Sequence, residues 1–210
     1  TARRLKNSFT NFVKISNYYP LFNDLMMDES IPKYSSNLVY LTRADKTSDI
    51  EAKVIYSIFN KKPKRAERYW MLHLHICDDP HTLEYSVEHL IPGHLVRIEF
   101  RIGFKVQPKV NLFFRQVLNE LVKSGEIDIS STYPSLKKHH IPADFRFVLI
   151  KRIQNYDFDF PPFYQFIMDV YVRLTRISIS DIRANGLDTS TVVVEQVPLA
   201  FNNSPDLPMV

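Results

Sequence analysis

The sequence predicts an α/β (α+β-like) fold, a mixed, mostly parallel sheet of about five or six strands covered by helices. Three observations carry that expectation. Apolar spacing switches repeatedly between the helical and the strand period along the chain. Tyr69 to Phe104 holds three successive strand patterns, and Pro92-Gly93 marks a hairpin-like turn between the last two. Elsewhere, helical segments stand between the strands, which favours parallel neighbours. The 210 residues contain no internal repeat and no linker long enough to divide them.

The elements follow in order. Leu5, Phe9, Phe12 and Val13 lie at helical spacing, so a helix is predicted over Arg4 to Lys14, ending before Tyr18-Tyr19-Pro20. Leu21, Phe22, Leu25 and Met26 predict a second short helix before Pro32. Leu38-Val39-Tyr40-Leu41 is a compact apolar run, the mark of a buried strand. Ile50, Val54, Ile55, Ile58 and Phe59 predict an amphipathic helix over Asp49 to Phe59, with Ser48 or Asp49 as its cap. In Tyr69 to Ile76, alternation places Trp70, Leu72, Leu74 and Ile76 on one side. Leu83 to Glu88 and Leu95 to Phe104 also alternate. Pro108 to Lys123 returns to helical spacing and stops at Gly125. Residues 126–142 are polar and read as a loop. Phe145 to Ile150 reads as a strand, Pro161 to Arg176 as a helix, and Thr191 to Leu199 as a last strand.

Composition excludes several classes. Lys and Arg number 27 against 23 Asp and Glu, a net +4, too mild an excess to signal a nucleic-acid binder. Hydrophobic residues at 45% exclude disorder for most of the length. Cys77 stands alone, so no intramolecular disulfide forms and a reducing compartment is expected. No apolar run approaches the ~18–20 residues of a membrane helix. The four glycines form neither a GxGxxG fingerprint nor a P-loop, and no G-x-S-x-G elbow exists.

Two local patterns stand out. His73-x-His75-x-Cys77 projects three ligand types to one strand face, with Asp78, Asp79 and His81 close behind. The spacing falls short of an established metal pattern, so the expectation is a polar strand face without a metal. Asp157 and Asp159 read as a solvated turn rather than as paired acids. The second pattern is positive charge. Lys61, Lys62, Lys64, Arg65 and Arg68 fall between a helix and a strand, and Arg97 and Arg101 share a strand face at even spacing. Tyr40, Tyr69 and Tyr85 are candidate stacking surfaces, though tyrosines in strands more often pack.

The stretch Ile31-Pro32-Lys33-Tyr34-Ser35-Ser36-Asn37-Leu38-Val39-Tyr40-Leu41-Thr42 resembles the opening strand of the C-terminal cytosolic domain of KUP (KUP/HAK/KT family) potassium transporters. Arg101-Ile102-Gly103-Phe104, Phe104-x-Val106-x-Pro108-x-Val110 and Val194-Glu195-Gln196-Val197-Pro198-Leu199 are similar to later family segments, in the same order. The likeness is best over Ile31 to Lys123.

The resemblance implies a regulatory domain rather than an enzyme. The opening Thr1-Ala2-Arg3-Arg4-Leu5-Lys6 then reads as a cut just after a membrane helix. The implied layout is a helical linker over 1–30, a cytosolic α/β domain over 31–200 and a flexible tail over 201–210. The parent is expected to be a proton-coupled importer whose membrane domain alone binds potassium, with this domain at the cytoplasmic face. No cofactor is expected. By family resemblance, the expected regulatory ligand is cyclic di-AMP, whose two-fold symmetry suits a homodimer interface. Its phosphates require Arg or Lys and its bases flat surfaces. Arg65, Arg68, Arg97 and Arg101 are the candidate phosphate contacts and Tyr40 the candidate stacking residue, chosen by charge and side-chain type. The alternatives are a structural dimerisation domain with no ligand and, from another class, an enzyme using His73, His75 and the nearby acids.

Overall fold

A computed structural model describes residues 11–106, 109–152 and 190–197. It contains a two-stranded sheet of β1 (Phe12–Lys14) and β3 (Asp49–Glu51) and a six-stranded mixed sheet whose strands lie in the order 83–91, 95–103, 65–77, 33–42, 145–152 and 190–197. The strands of the large sheet are β2 (Lys33–Thr42), β4 (Arg65–Cys77), β5 (Leu83–Ile91), β6 (Leu95–Gly103), β7 (Phe145–Arg152) and β8 (Ser190–Val197). All of its neighbours are parallel except the β5–β6 hairpin. The α/β expectation therefore holds, including its one antiparallel excursion.

The hairpin turn is chemically specified. Pro92 presets φ, Gly93 supplies a φ of +75°, and His94 N–H closes onto Ile91 O at 3.0 Å.

One face of the sheet packs under α3 (Val110–Lys123). Phe114 is the anchor, edge-on to Trp70 at 5.4 Å, Phe145 at 6.0 Å and Phe147 at 5.9 Å. Val96, Ile98, Phe100 and Ile102 of β6 complete that layer. The helix ends as the sequence predicts. Gly125 has φ +76°, its N–H donates to Val122 O at 3.1 Å, and Glu126 N–H reaches Leu121 O at 3.0 Å. Those two bonds form the Schellman closure.

The opposite face packs under α1 (Tyr19–Met27) and α2 (Ala52–Phe59). Phe22 is fully buried between Phe59 and Tyr69, both at 5.0 Å and edge-on. Leu38, Tyr40, Met71, Leu95, Val148 and Ile150 supply the floor of this layer.

Three expectations are corrected. Residues 12–14 form strand β1 (Phe12–Lys14), not the end of a helix, pairing antiparallel with β3 (Asp49–Glu51); residues 1–10 lie outside the described residues. A short apolar run fits both periods, and here cross-strand pairing decides between them. Asp49-Ile50-Glu51 is consequently a strand, so the next helix starts at Ala52, and neither Ser48 nor Asp49 caps it. The Asp49 carboxylate instead pairs with Lys14 Nζ at 2.7 Å. The segment 126–142 contains a short helix, α4 (Pro134–Lys137), and a bridge between Ser130 and Pro142. The predicted helix over Pro161 to Arg176 lies outside the described residues.

Candidate functional site

Side-chain alternation divides the α1/α2 face of the sheet into two halves. Tyr69 and Met71 of β4 and Leu95 of β6 are apolar and buried beneath the helices. Further along the same strands the face becomes polar: His73, His75 and Cys77 on β4, then Arg97, Glu99 and Arg101 on β6. Across the hairpin, Glu88, Ser86 and Glu84 stand opposite Arg97, Glu99 and Arg101. This polar half lies toward the carboxyl ends of parallel strands β2, β4 and β6. Open α/β sheets hold their ligands outside that end.

The connection between β2 and β3 runs along this face and is pinned by buried groups. Glu51, fully buried, accepts from Thr42 Oγ1 at 2.7 Å and from Arg43 N–H at 2.9 Å. Arg97, 3% exposed, donates to Ala44 O at 2.6 Å and to Lys46 O at 3.2 Å. A guanidinium offers a rigid fork of donors, so one side chain fixes two carbonyls of the connection. His73 is buried with Nδ1 3.2 Å from Thr42 O, while its Nε2 is 3.7 Å from Asp45 Oδ1. Burial holds the His73 imidazole below the usual histidine range, against the raising influence of the Thr42 carbonyl.

The five residues singled out from sequence are dispersed over the fold. Tyr40 is fully buried under α2, its hydroxyl 3.2 Å from Ser57 Oγ, so it presents no free ring face. Burial pushes that hydroxyl well above its ordinary value. Arg65 donates to Met26 O at 3.1 Å and Ile31 O at 3.3 Å, closing the end of α1. Arg68 donates to Gly93 O at 3.0 Å and Asp128 O at 3.3 Å and lies over the Trp70 ring. Arg97 holds the β2–β3 connection, as above. Arg101 is the exposed one of the four arginines, and its partner is a side chain, Glu84 Oε2 at 2.9 Å. Arg97 and Arg101 do share one sheet face, as their even spacing predicts.

The histidine pattern is altered in one member. His73 and His75 do come together, but the third ligand-type residue beside them is Glu99, the cross-strand partner of His73, and not Cys77. Asp157 and Asp159 lie outside the described residues.

Sequence reasoning missed a second buried polar cluster. Lys64, 1% exposed, is 3.1 Å from Glu195 Oε1 and donates to Ser57 O. Ser57 Oγ donates to Glu195 Oε2 at 2.6 Å. The cluster ties β8 to α2 and to the start of β4. Burial holds the Lys64 ammonium below its ordinary pKa, opposed by the Glu195 charge. In the sequence Lys64 is one lysine in a basic run, and Glu195 is 131 positions away.

Comparison with known proteins now fixes the family. Residues 35–198 match the family described as the K+ potassium transporter C-terminal domain. The chain belongs to that family. It is 48% identical over 202 residues, 96% of its length, to a probable potassium transport system protein Kup of Cytophaga hutchinsonii. Proteins of the same name from Flavobacterium psychrophilum and Clostridium perfringens are 40% and 33% identical over 96% and 95% of the chain. The chain spans 31% of the length of the first two of these relatives and 30% of the third. No solved structure matches it. Among the described residues, no helix is long and apolar enough to cross a membrane.

Proposed function

We propose that the chain is the cytosolic regulatory and dimerisation domain of a proton-coupled potassium importer, and that it holds cyclic di-AMP between two copies. The family assignment supports the transporter part of this reading. The ligand part rests on the polar half of the sheet, and above all on Arg101. Its exposed guanidinium is held by an exposed Glu84, and exposed pairs exchange readily for a competing anion. A phosphate oxygen replaces the carboxylate there with the same charge-assisted geometry. A second copy brings a second Arg101, and a two-fold ligand has two phosphates to meet them.

A second reading is a dimerisation domain with no ligand. One observation favours it: Arg65, Arg68 and Arg97 spend their donors on main-chain carbonyls. Such arginines brace loops.

Thermal unfolding with and without cyclic di-AMP separates the two. The first reading predicts a concentration-dependent rise in Tm that Arg101→Ala abolishes. An unshifted Tm in a folded, dimeric sample supports the structural domain. A shift that Arg101→Ala leaves intact removes Arg101 from the site.

A further inference from the structure

We propose that His73, His75 and Glu99 form a binding site for a divalent transition ion of the zinc type. One ligand atom from each lies within 4.8 Å of the other two. In a tetrahedral zinc site with bonds of about 2.0–2.2 Å, ligand atoms stand about 3.4 Å apart. Closing the remaining gap falls to the half-buried side chains of His75 and Glu99, because Thr42 O holds the His73 ring.

The backbone supports this arrangement. His73 and Glu99 are direct partners in the β4–β6 ladder, and His75 is two residues further on the same face. Parallel pairing fixes these positions more firmly than a loop does. His73 also has the outer contact of a ligating histidine: Nδ1 is directed at Thr42 O at 3.2 Å, which leaves Nε2 for the ion. Asp45 Oδ1, 3.7 Å from that Nε2, stands ready as a fourth donor, with its side chain 63% exposed. Two imidazoles and a carboxylate select zinc-type ions over calcium or magnesium, which take oxygen ligands.

Arg97 is the opposing group. Its cation lies on the same face, between Leu95 and Glu99 on β6. Its two terminal nitrogens donate to Ala44 O and Lys46 O, its Nε is buried without a hydrogen-bond partner among the described residues, and Glu88 stands opposite it across the hairpin. Arg101 is a second cation on this face, met by Glu84 at 2.9 Å, so Glu99 and Asp45 leave the cluster net negative when both histidines are neutral. The proposed ligands do not include Arg101, the residue on which the nucleotide reading rests, although Arg101 is the ladder partner of His75.

The test is titration of the 210-residue chain with Zn2+ followed by calorimetry, with Co2+ absorption to report the ligand geometry. Expected is one saturable equivalent and a Co2+ spectrum of low coordination number lacking a thiolate band. His75→Ala and Glu99→Gln, at positions only half-buried, each weaken binding about tenfold or more, whereas Cys77→Ser leaves it unchanged. Circular dichroism confirms that the variants are folded. Absence of saturable binding by the folded wild type, or undiminished affinity in the His75→Ala/Glu99→Gln double variant, overturns the proposal. Arg101→Ala, which tests the nucleotide reading, is expected to retain the metal, so either idea can fail without the other.

Discussion

Gly103 is where the sheet tolerates no side chain. It ends β6, and its N–H donates to Thr82 O at 2.7 Å. A Cβ built there lies 2.5 Å from both Asp79 O and Pro80 C and 2.6 Å from Pro80 O. Non-bonded carbon contacts are most favourable at about 3.5–4.0 Å, so the overlap is about 1 Å and falls on main chain. The turn cannot yield cheaply, because Lys105 N–H also donates to Pro80 O at 3.1 Å. Overpacking of this kind costs about 1–3 kcal/mol, and the rigid neighbours place Gly103→Ala in the upper part of that range. For a chain of this size, the corresponding drop in Tm is about 4–12 °C. Urea unfolding measures it as a lower midpoint at unchanged slope. A control separates steric from conformational need. Gly125 has φ +76° with nothing within 4 Å of a built Cβ, so Asn is better tolerated there than Ala. At Gly103, whose φ is not positive, Asn is worse than Ala. Gly103→Ala within about 0.5 kcal/mol of wild type, the range of neutral surface changes, refutes the close approach.

Other outcomes follow from the buried polar groups. Glu195→Ala strands the Lys64 ammonium in the interior and costs about 3–5 kcal/mol in chemical denaturation, while Lys64→Met with Glu195→Met recovers much of the loss. Phe114→Ala, which removes the ring touching Trp70, Phe145 and Phe147, costs about 3–5 kcal/mol by the same assay. Glu51→Ala orphans the Thr42 hydroxyl and the Arg43 N–H; amide exchange over 43–48 accelerates, with a stability loss of about 1–3 kcal/mol. Burial raises the Asp144 pKa, but hydrogen bonds from Ser36 and Ser35 outweigh it and hold the carboxyl below its usual range. A depressed carboxyl stabilises the fold above the unfolded value near 3.8 and loses that contribution as pH falls through the folded value. Asp144→Asn should therefore flatten the acid limb of a stability–pH profile.

How far the sequence reveals this molecule depends on how local each signal is. The alternation over Tyr69 to Ile76 places Trp70, Leu72, Leu74 and Ile76 opposite His73 and His75 because strand geometry admits no other result. Pro92-Gly93 and Gly125 announce their turns through φ alone. The β1–β3 pair was hidden, because Val13 and Ile50 meet only after the chain has folded back across 37 positions. The same pairing removes Asp49 from the cap where propensity puts it. Charge was the poorest guide to the site. Arg65, Arg68, Arg97 and Arg101 look alike in sequence, yet the fold assigns the first three to carbonyls and leaves Arg101 at the open face. Tyr40 reads as an aromatic surface until α2 is laid over it. For the histidines, the missing ligand was Glu99, which sequence spacing cannot supply because it arrives from the neighbouring strand.

Two copies of this domain are proposed to hold one nucleotide signal between them. Isothermal titration calorimetry of the 210-residue chain with cyclic di-AMP, with ATP and cyclic di-GMP as controls, tests it most directly. Saturable binding of cyclic di-AMP at one ligand per two chains is expected, with neither control competing. No heat at several temperatures from a folded and dimeric sample contradicts it and leaves a domain that dimerises without a ligand.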